Sequence, residues 1–320
     1  MGGVNGQFVT ILNAVLPVFL VIGSGFVLRR WDWLTPQTDQ GLLRLVINLL
    51  IPCLIFDSLL GNEALRSAEN VFLPPLIGFS SIALGALAGW IVGRWIPSNH
   101  SKTRATFAFC VAIYNYGYVP IPLVMSLFDR GTLGVLFVHN LGVETAFWSF
   151  ASLLLAGENL RVGFRKILNA PLVAILGTLA WNATIGPEVV PSFFRNAAHM
   201  LGQCAIPLGM LLIGATIADQ LRVFQSGPKI RIATAAVLLR LGVLPLVGIT
   251  AAVFLPVSVE LKRVMIVQAA MPAAVFPIVL ARHYHGDTGT ALTVVLTTSA
   301  LSFVTIPLWL RLGMFLVGGL

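Results

Sequence analysis

The chain has 320 residues, 57% of them hydrophobic and 10% charged, with a formal net charge of +8. Soluble domains are about 45–50% apolar and about 25% charged, so a soluble enzyme, a disordered chain and a disulfide-stapled secreted domain are excluded. What remains is an all-α polytopic membrane protein, because lipid forces backbone polar groups to be satisfied within helices.

At about 20 residues per span, ten segments are predicted: 7–28, 39–60, 72–93, 105–128, 132–156, 169–186, 198–218, 232–255, 264–282 and 289–316. Segment 1 contains Leu16-Pro17 and is long enough to span, with no basic stretch of a cleaved signal before it. Segment 2 contains Ile51-Pro52, with Arg44 and Asp57 towards its two ends, where a long or interfacial side chain reaches water. Segment 3 lacks the alternation of a barrel strand. Segment 4 places Asn115, Gly117, Pro120 and Pro122 in mid-membrane, so a continuous helix is not expected there. Segment 5 carries His139 and Glu144, and a short loop at 157–168 follows it. Segments 6 and 7 contain Ala170-Pro171 and Ile206-Pro207. Segment 8 contains Arg240, read as snorkelling or pairing with a neighbour. Segment 9 has Pro272 and Pro277, five apart.

The prolines repeat. Pro17 and Pro171 are 154 residues apart, Pro52 and Pro207 are 155 apart, and Pro120 and Pro277 are 157 apart. These offsets predict two halves, 1–157 and 158–320, with Pro52 and Pro207 marking matched helix breaks. Five segments per half is odd, so the second half enters the membrane inverted, as in many secondary transporters.

The net charge is read by the positive-inside rule rather than as a nucleic-acid footprint. With the N-terminus outside, cytoplasmic loops hold Arg29, Arg30, Arg94, Lys102, Arg104, Arg161, Arg165, Lys166, Arg222, Lys229, Arg231 and Arg282. External loops hold Arg66, Arg130, Arg195, Lys262 and Arg263. Both termini are therefore expected on the non-cytoplasmic side.

Two breaks at matched places predict a site. Each exposes N–H groups at the start of its second half-helix, where the helix carries about half a positive charge. Two such ends converging in mid-membrane favour an anion without a buried lysine. Asn115 adds a directional donor and acceptor. The competing reading is that the prolines only kink helices for packing.

Several stretches carry a resemblance. They are Asn115-Tyr116-Gly117 with Ile121-Pro122-Leu123, Met271-Pro272-Ala273-Ala274, and Pro277 through Arg282 before His285-Gly286-Asp287. Leu45 through Asn48, Asn169 through Leu172, and Pro207 through Gly214 belong with them. In order and spacing the chain resembles the auxin efflux carrier family, which includes plant PIN-type carriers and bacterial permeases for malonate and malate. The resemblance implies ten helices in an inverted repeat, with broken helices 4 and 9 crossing. It implies a scaffold of helices 1, 2, 6 and 7, a transport domain of helices 3–5 and 8–10, and a homodimer formed through the scaffold. It maps the substrate-binding asparagine onto Asn115. PIN-type carriers have a Gln-Gly pair where this chain has Ala273-Ala274, leaving the second break without a polar side chain. The long plant loop is also missing, so a compact bacterial type in the inner or plasma membrane is expected.

Charged side chains in mid-membrane are functional candidates. Glu144 is read either as the carrier of a coupling proton or as a neutral, hydrogen-bonded carboxyl. His139, five residues before it, does not share its helix face. No enzyme signature, metal-ligand cluster or cofactor motif is found, and the three cysteines read as packing residues. The expected function is a secondary carrier for small organic anions, with no cofactor and no nucleic-acid partner. Substrate contacts are expected from Asn115, Tyr116, Gly117, Pro120, Pro122, Pro272, Ala273, Ala274, Phe276 and Pro277. The alternatives are a sodium-coupled symporter of the bile-acid carrier type and a non-transporting receptor.

Overall fold

The computed structural model of the chain describes residues 2–96, 101–156, 168–223 and 229–318. The loop cations Arg161, Arg165 and Lys166 and the expected boundary at 157/158 lie outside the described residues. Within them the chain is all-helical. The helices are α1 (Gly2–Arg30), α2 (Pro36–Leu59), α3 (Glu69–Val92), α4 (Ser101–Ala112), α5 (Pro120–Leu127) and α6 (Arg130–Phe150). They continue with α7 (Ala170–Thr184), α8 (Ser192–Val223), α9 (Ile230–Phe254), α10 (Val259–Ala269), α11 (Phe276–His283) and α12 (Thr288–Leu316). Six of them, α1, α2, α3, α8, α9 and α12, are long and apolar enough to cross a membrane. Segments 4 and 9 are each split in two, as their prolines predict. α4 ends at Ala112 and α5 starts at Pro120, while α10 ends at Ala269 and α11 starts at Phe276.

The expected breaks at Pro52 and Pro207 need correction. Pro207 lies inside α8, which runs through it without interruption. Pro52 follows a π-helical turn at Val46–Leu50, and α2 continues beyond it to Leu59. A proline removes one backbone donor, and a widened turn absorbs that loss without ending the helix. α9 uses the same device, with a π turn at Leu238–Val243 just ahead of Pro245.

α1 packs along α8, α8 against α2, and α2 against α7. The approach of α1 to α8 needs glycine. A Cβ on Gly25 would sit 2.1 Å from the Leu211 carbonyl oxygen, and one on Gly214 would sit 1.9 Å from that of Ile22. Small residues of this kind let membrane helices pack by dispersion, since lipid supplies no hydrophobic drive between them. Elsewhere α3 lies against α6 and α4, and α9 against α10 and α12. Leu20, Phe72, Leu76 and Phe254 are exposed on the outer surface, as a lipid-facing wall requires.

Asp129 caps α6 by accepting from the Thr132 N–H at 2.8 Å, and Asp287 caps α12 by accepting from the Thr290 N–H at 2.9 Å. The two stretches, Asp129-Arg130-Gly131-Thr132 and Asp287-Thr288-Gly289-Thr290, are 158 residues apart. Each cap starts the helix that follows a break.

Candidate functional site at the crossing of the broken helices

The two breaks meet. Tyr114 and Ala273 form an antiparallel bridge. The Asn115 N–H donates to the Pro272 carbonyl and the Ala274 N–H to the Ile113 carbonyl, both at 2.9 Å. A two-bond strand pair therefore stands where two helices have stopped. These bonds satisfy the Asn115 N–H and the Ile113 carbonyl, which lie past the end of α4. Exposed backbone at this depth is tolerated only when protein or a cavity satisfies it.

The prolines also thin the donors available to a ligand. At the start of α5, the Ile121 N–H is taken by the Gly117 carbonyl at 3.0 Å and the Val119 N–H by Asn115 Oδ1 at 3.4 Å. The N–H groups of Gly117, Tyr118, Val275 and Phe276 have no partner among the described residues. Asn115, Tyr116, Gly117, Pro122 and Val275 are half-buried and Phe276 is exposed, whereas Pro120, Pro272, Ala273, Ala274 and Pro277 are buried. Space exists at Gly117, where a Cβ would meet nothing within 4 Å. Tyr118 lies flat against α8, its ring 1.9 Å from where a Cβ on Gly209 would be.

Polar side chains from four other places close on the crossing. Asn140 of α6 donates to the Tyr116 carbonyl at 2.9 Å. Gln268 of α10 donates to the same carbonyl at 3.3 Å and to Asn140 Oδ1 at 3.0 Å. Thr298 of α12 accepts from the Ala273 N–H at 3.3 Å. Ser81 of α3 bonds the Tyr114 hydroxyl at 3.0 Å.

Arg240 of α9 follows the second of its two expected courses and pairs with neighbours. It does not snorkel: it is 3% exposed, and its Nε donates to the Met271 carbonyl at 2.8 Å. Its guanidinium lies over the Tyr114 ring, 4.8 Å from the centroid. The second break is thus not without polar side chains. It takes them from α9 and α12 instead of from its own loop. An intramembrane arginine was the available signal, and Gln268 and Asn140 were visible as lone polar residues in apolar segments.

Glu144 sits beside the first break. Its Oε2 accepts from the Tyr116 hydroxyl at 2.6 Å. Its Oε1 accepts from Trp148 Nε1 at 3.2 Å and from Asn169 Nδ2 at 2.9 Å. Asn169 caps α7 through its Oδ1, which fixes its amide with the Nδ2 towards Glu144. Trp148 also packs edge-on to Phe276, with Phe147 behind them. His139 is buried in the contact of α6 with α3, its Nδ1 without a partner among the described residues, and does not meet Glu144. The sequence points to Asn169 only as part of a stretch that carries the family resemblance, and does not point to Trp148 as a site residue.

An open apolar groove of about 610 Å3 lies along Val92, Trp95, Ile230 and Leu238. None of the crossing residues lines it.

A family model described as membrane transport protein matches residues 10–162 and again residues 159–310. The chain belongs to this membrane transport family, the auxin efflux carriers. An uncharacterized transporter of Methanothermobacter thermautotrophicus is 26% identical over 302 residues, covering 93% of this chain and 96% of its own. An uncharacterized transporter of Methanocaldococcus jannaschii is 23% identical over 311 residues, covering 93% and 97%. Protein ECM3 of Saccharomyces cerevisiae is 26% identical over 158 residues, which is 49% of this chain and 25% of that protein. With its apolar helices, this member of the transporter family is an integral, multi-pass membrane protein.

Proposed function

We propose that the chain is a secondary carrier for small organic anions, moving mono- or dicarboxylates by alternating access around the crossing. The observation that carries this reading is the strand pair between residues 113–115 and 272–274, which joins the two breaks at the crossing. Positive helix ends, four unpartnered N–H groups and the amide of Asn115 suit a carboxylate. Phe276 and Trp148 add an apolar wall for the rest of the acid.

In this reading the chain makes ten passes, in two inverted halves of residues 1–157 and 158–320. The mutual packing of α1, α2, α7 and α8 supports their role as the scaffold, and the dimer forms there. The helices around the crossing move as the transport domain. Both termini face away from the cytoplasm.

Glu144 carries a coupling proton. The Trp148 N–H and the Asn169 amide can only donate, so Oε1 stays bare in either protonation state. Oε2 either accepts from the Tyr116 hydroxyl or, once protonated, donates to it after that hydroxyl turns. A proton is therefore taken up with one hydroxyl rotation, beside the break that holds Asn115.

A thermal-shift screen of the purified protein against mono- and dicarboxylates, aromatic acids included, tests the reading. Ligand binding raises the unfolding temperature by mass action. Carboxylates are expected to raise it and to drive counterflow in proteoliposomes. Silence in both assays for every acid tried would favour the receptor reading.

A further inference from the structure

The buried guanidinium of Arg240 stands at the C-terminal end of a half-helix. Its NH2 group reaches the carbonyls of Gln268 and Ala269, each at 3.4 Å, while Nε takes that of Met271. Two of these carbonyls close α10 and the third opens the break. Together they form the end of α10 that carries about half a negative charge. Among the described residues no carboxylate pairs with Arg240. A buried charge is costly unless compensated, and here helix-end carbonyls and the Tyr114 ring supply the compensation.

The π turn at Leu238–Val243 explains the aim of the side chain. It inserts an extra residue into the helical turn, so Arg240 points inward while Leu238 and Val243 remain exposed on either side of it. Gln268, whose backbone carbonyl Arg240 reaches, carries one more oxygen on its side chain. Gln268 Oε1 is buried with no partner among the described residues, and its amide orientation is fixed by the two acceptors that Nε2 serves.

Unwound carbonyls and half-helix C-termini are where carriers with broken helices coordinate a coupling cation. We propose that Arg240 is a tethered cation that permanently fills this position. It holds the crossing in its working shape without sodium and keeps a metal cation from coupling there. This rests on the reading of the crossing as the transport site. Arg240 acts through the break and is a positioning residue.

The test uses the full chain, purified, with unfolding temperatures read in choline, potassium and sodium chloride at equal ionic strength. The wild type is expected to show no preference for sodium. Arg240→Ala opens a cage of three carbonyls. Its unfolding temperature should fall by about 5 °C or more in choline. More than half of that loss should return on adding sodium or guanidinium, and not on adding potassium. Arg240→Lys should stay near the wild type in choline, because it keeps the charge. Arg240→Met fills the space without charge and should remain low in every salt.

Recovery in Arg240→Met would reduce the residue to a packing role and overturn the proposal. So would an Arg240→Ala protein as stable in choline as the wild type, or one that no cation restores. If Arg240→Ala does not fold, the wild-type salt series and Arg240→Lys decide: stabilisation of the wild type by sodium over potassium sinks the idea. Carboxylate shifts on the wild type in choline test the transport reading separately. Their absence beside the expected salt series would remove the substrate site and leave the tethered cation standing.

Discussion

The two breaks span nearly the same residues of their halves and share one strand pair, yet they are stabilised differently. At the first, the Tyr116 carbonyl is held by two neutral amides, those of Asn140 and Gln268. At the second, three carbonyls are held by the Arg240 guanidinium. The first break carries polar side chains of its own, Asn115 and Tyr116, and keeps them half-exposed. The second has an apolar loop, and its polar partners arrive from other helices. Backbone opened inside a membrane has to be satisfied, and a neutral solution leaves local groups free to engage a solute. A fixed charge gives a firmer structure whose carbonyls are already engaged. In the proposed reading, the asymmetry gives ligand contact mainly to the first break and rigidity to the second.

Gln268 joins the two, since it rises from α10 and reaches the first break. Replacing it with leucine breaks the comparison most directly. Gln268→Leu leaves Asn140 Oδ1 without its donor and the Tyr116 carbonyl with one bond instead of two. Loss of a buried hydrogen-bond partner costs about 1–3 kcal/mol, so the unfolding temperature should fall by about 2–4 °C. A leucine variant as stable as the wild type would mean that the breaks are held independently.

Asn115→Ala separates ligand contact from structure. Its Oδ1 accepts from the Val119 N–H at 3.4 Å, a long bond that contributes little. Carboxylate affinity should drop about tenfold, equivalent to about 1.4 kcal/mol, with the unfolding temperature nearly unchanged. Titrating the best acid from the screen against both proteins gives the answer, and equal affinities would remove Asn115 from the site.

Glu144→Gln is a near-isostere. The new amide oxygen accepts from Trp148 and Asn169, and its nitrogen donates to the Tyr116 oxygen. The network survives while the titrating group is lost. Uptake in proteoliposomes should then lose its pH dependence while the protein stays folded. A pH profile that matches the wild type would end the coupling role.

How much of this was legible follows from what periodicity and proline chemistry encode. The apolar runs located the helices, and Pro120, Pro122, Pro272 and Pro277 located both breaks, because a missing N–H in mid-membrane has a local consequence. The same rule failed at Pro207 and Pro52, since helix continuity through a proline depends on neighbouring turns and packing. Arg240 was visible as a charge in an apolar segment, but its direction was set by a π turn that leaves no clear composition signal. Tyr114, Asn140, Gln268 and Asn169 converge only through tertiary packing. The repeated Asp-x-Gly-Thr at 129–132 and 287–290 is visible in the sequence, but its meaning as a pair of helix caps needs the fold.

Those caps give the smallest test of the comparison, because each starts the helix that supports one break. α6 brings Asn140 and Glu144 to the first, and α12 brings Thr298 to the second. Burial pushes the Asp129 carboxyl up, but the Thr132 hydrogen bonds and the Arg263 guanidinium outweigh it and hold it below the usual carboxylate range. Burial raises Asp287 likewise, and bonds from Thr290 and Thr103 with the Lys229 charge bring it below that range. A carboxyl lowered by folding contributes stability that is present above its unfolded value and lost as pH falls through its folded one. Both caps therefore weaken in acid. Asp287 is the less exposed, 20% against 58% for Asp129, so its charge is less screened. Replacing an N-cap costs about 1 kcal/mol. Asp287→Ala should lower the unfolding temperature more than Asp129→Ala at pH 7, and the gap should close as the pH falls below the carboxylate range. If Asp129→Ala proves the more damaging, the neutral break is the more dependent on its supporting helix, and the rigidity assigned to the second break belongs to the first.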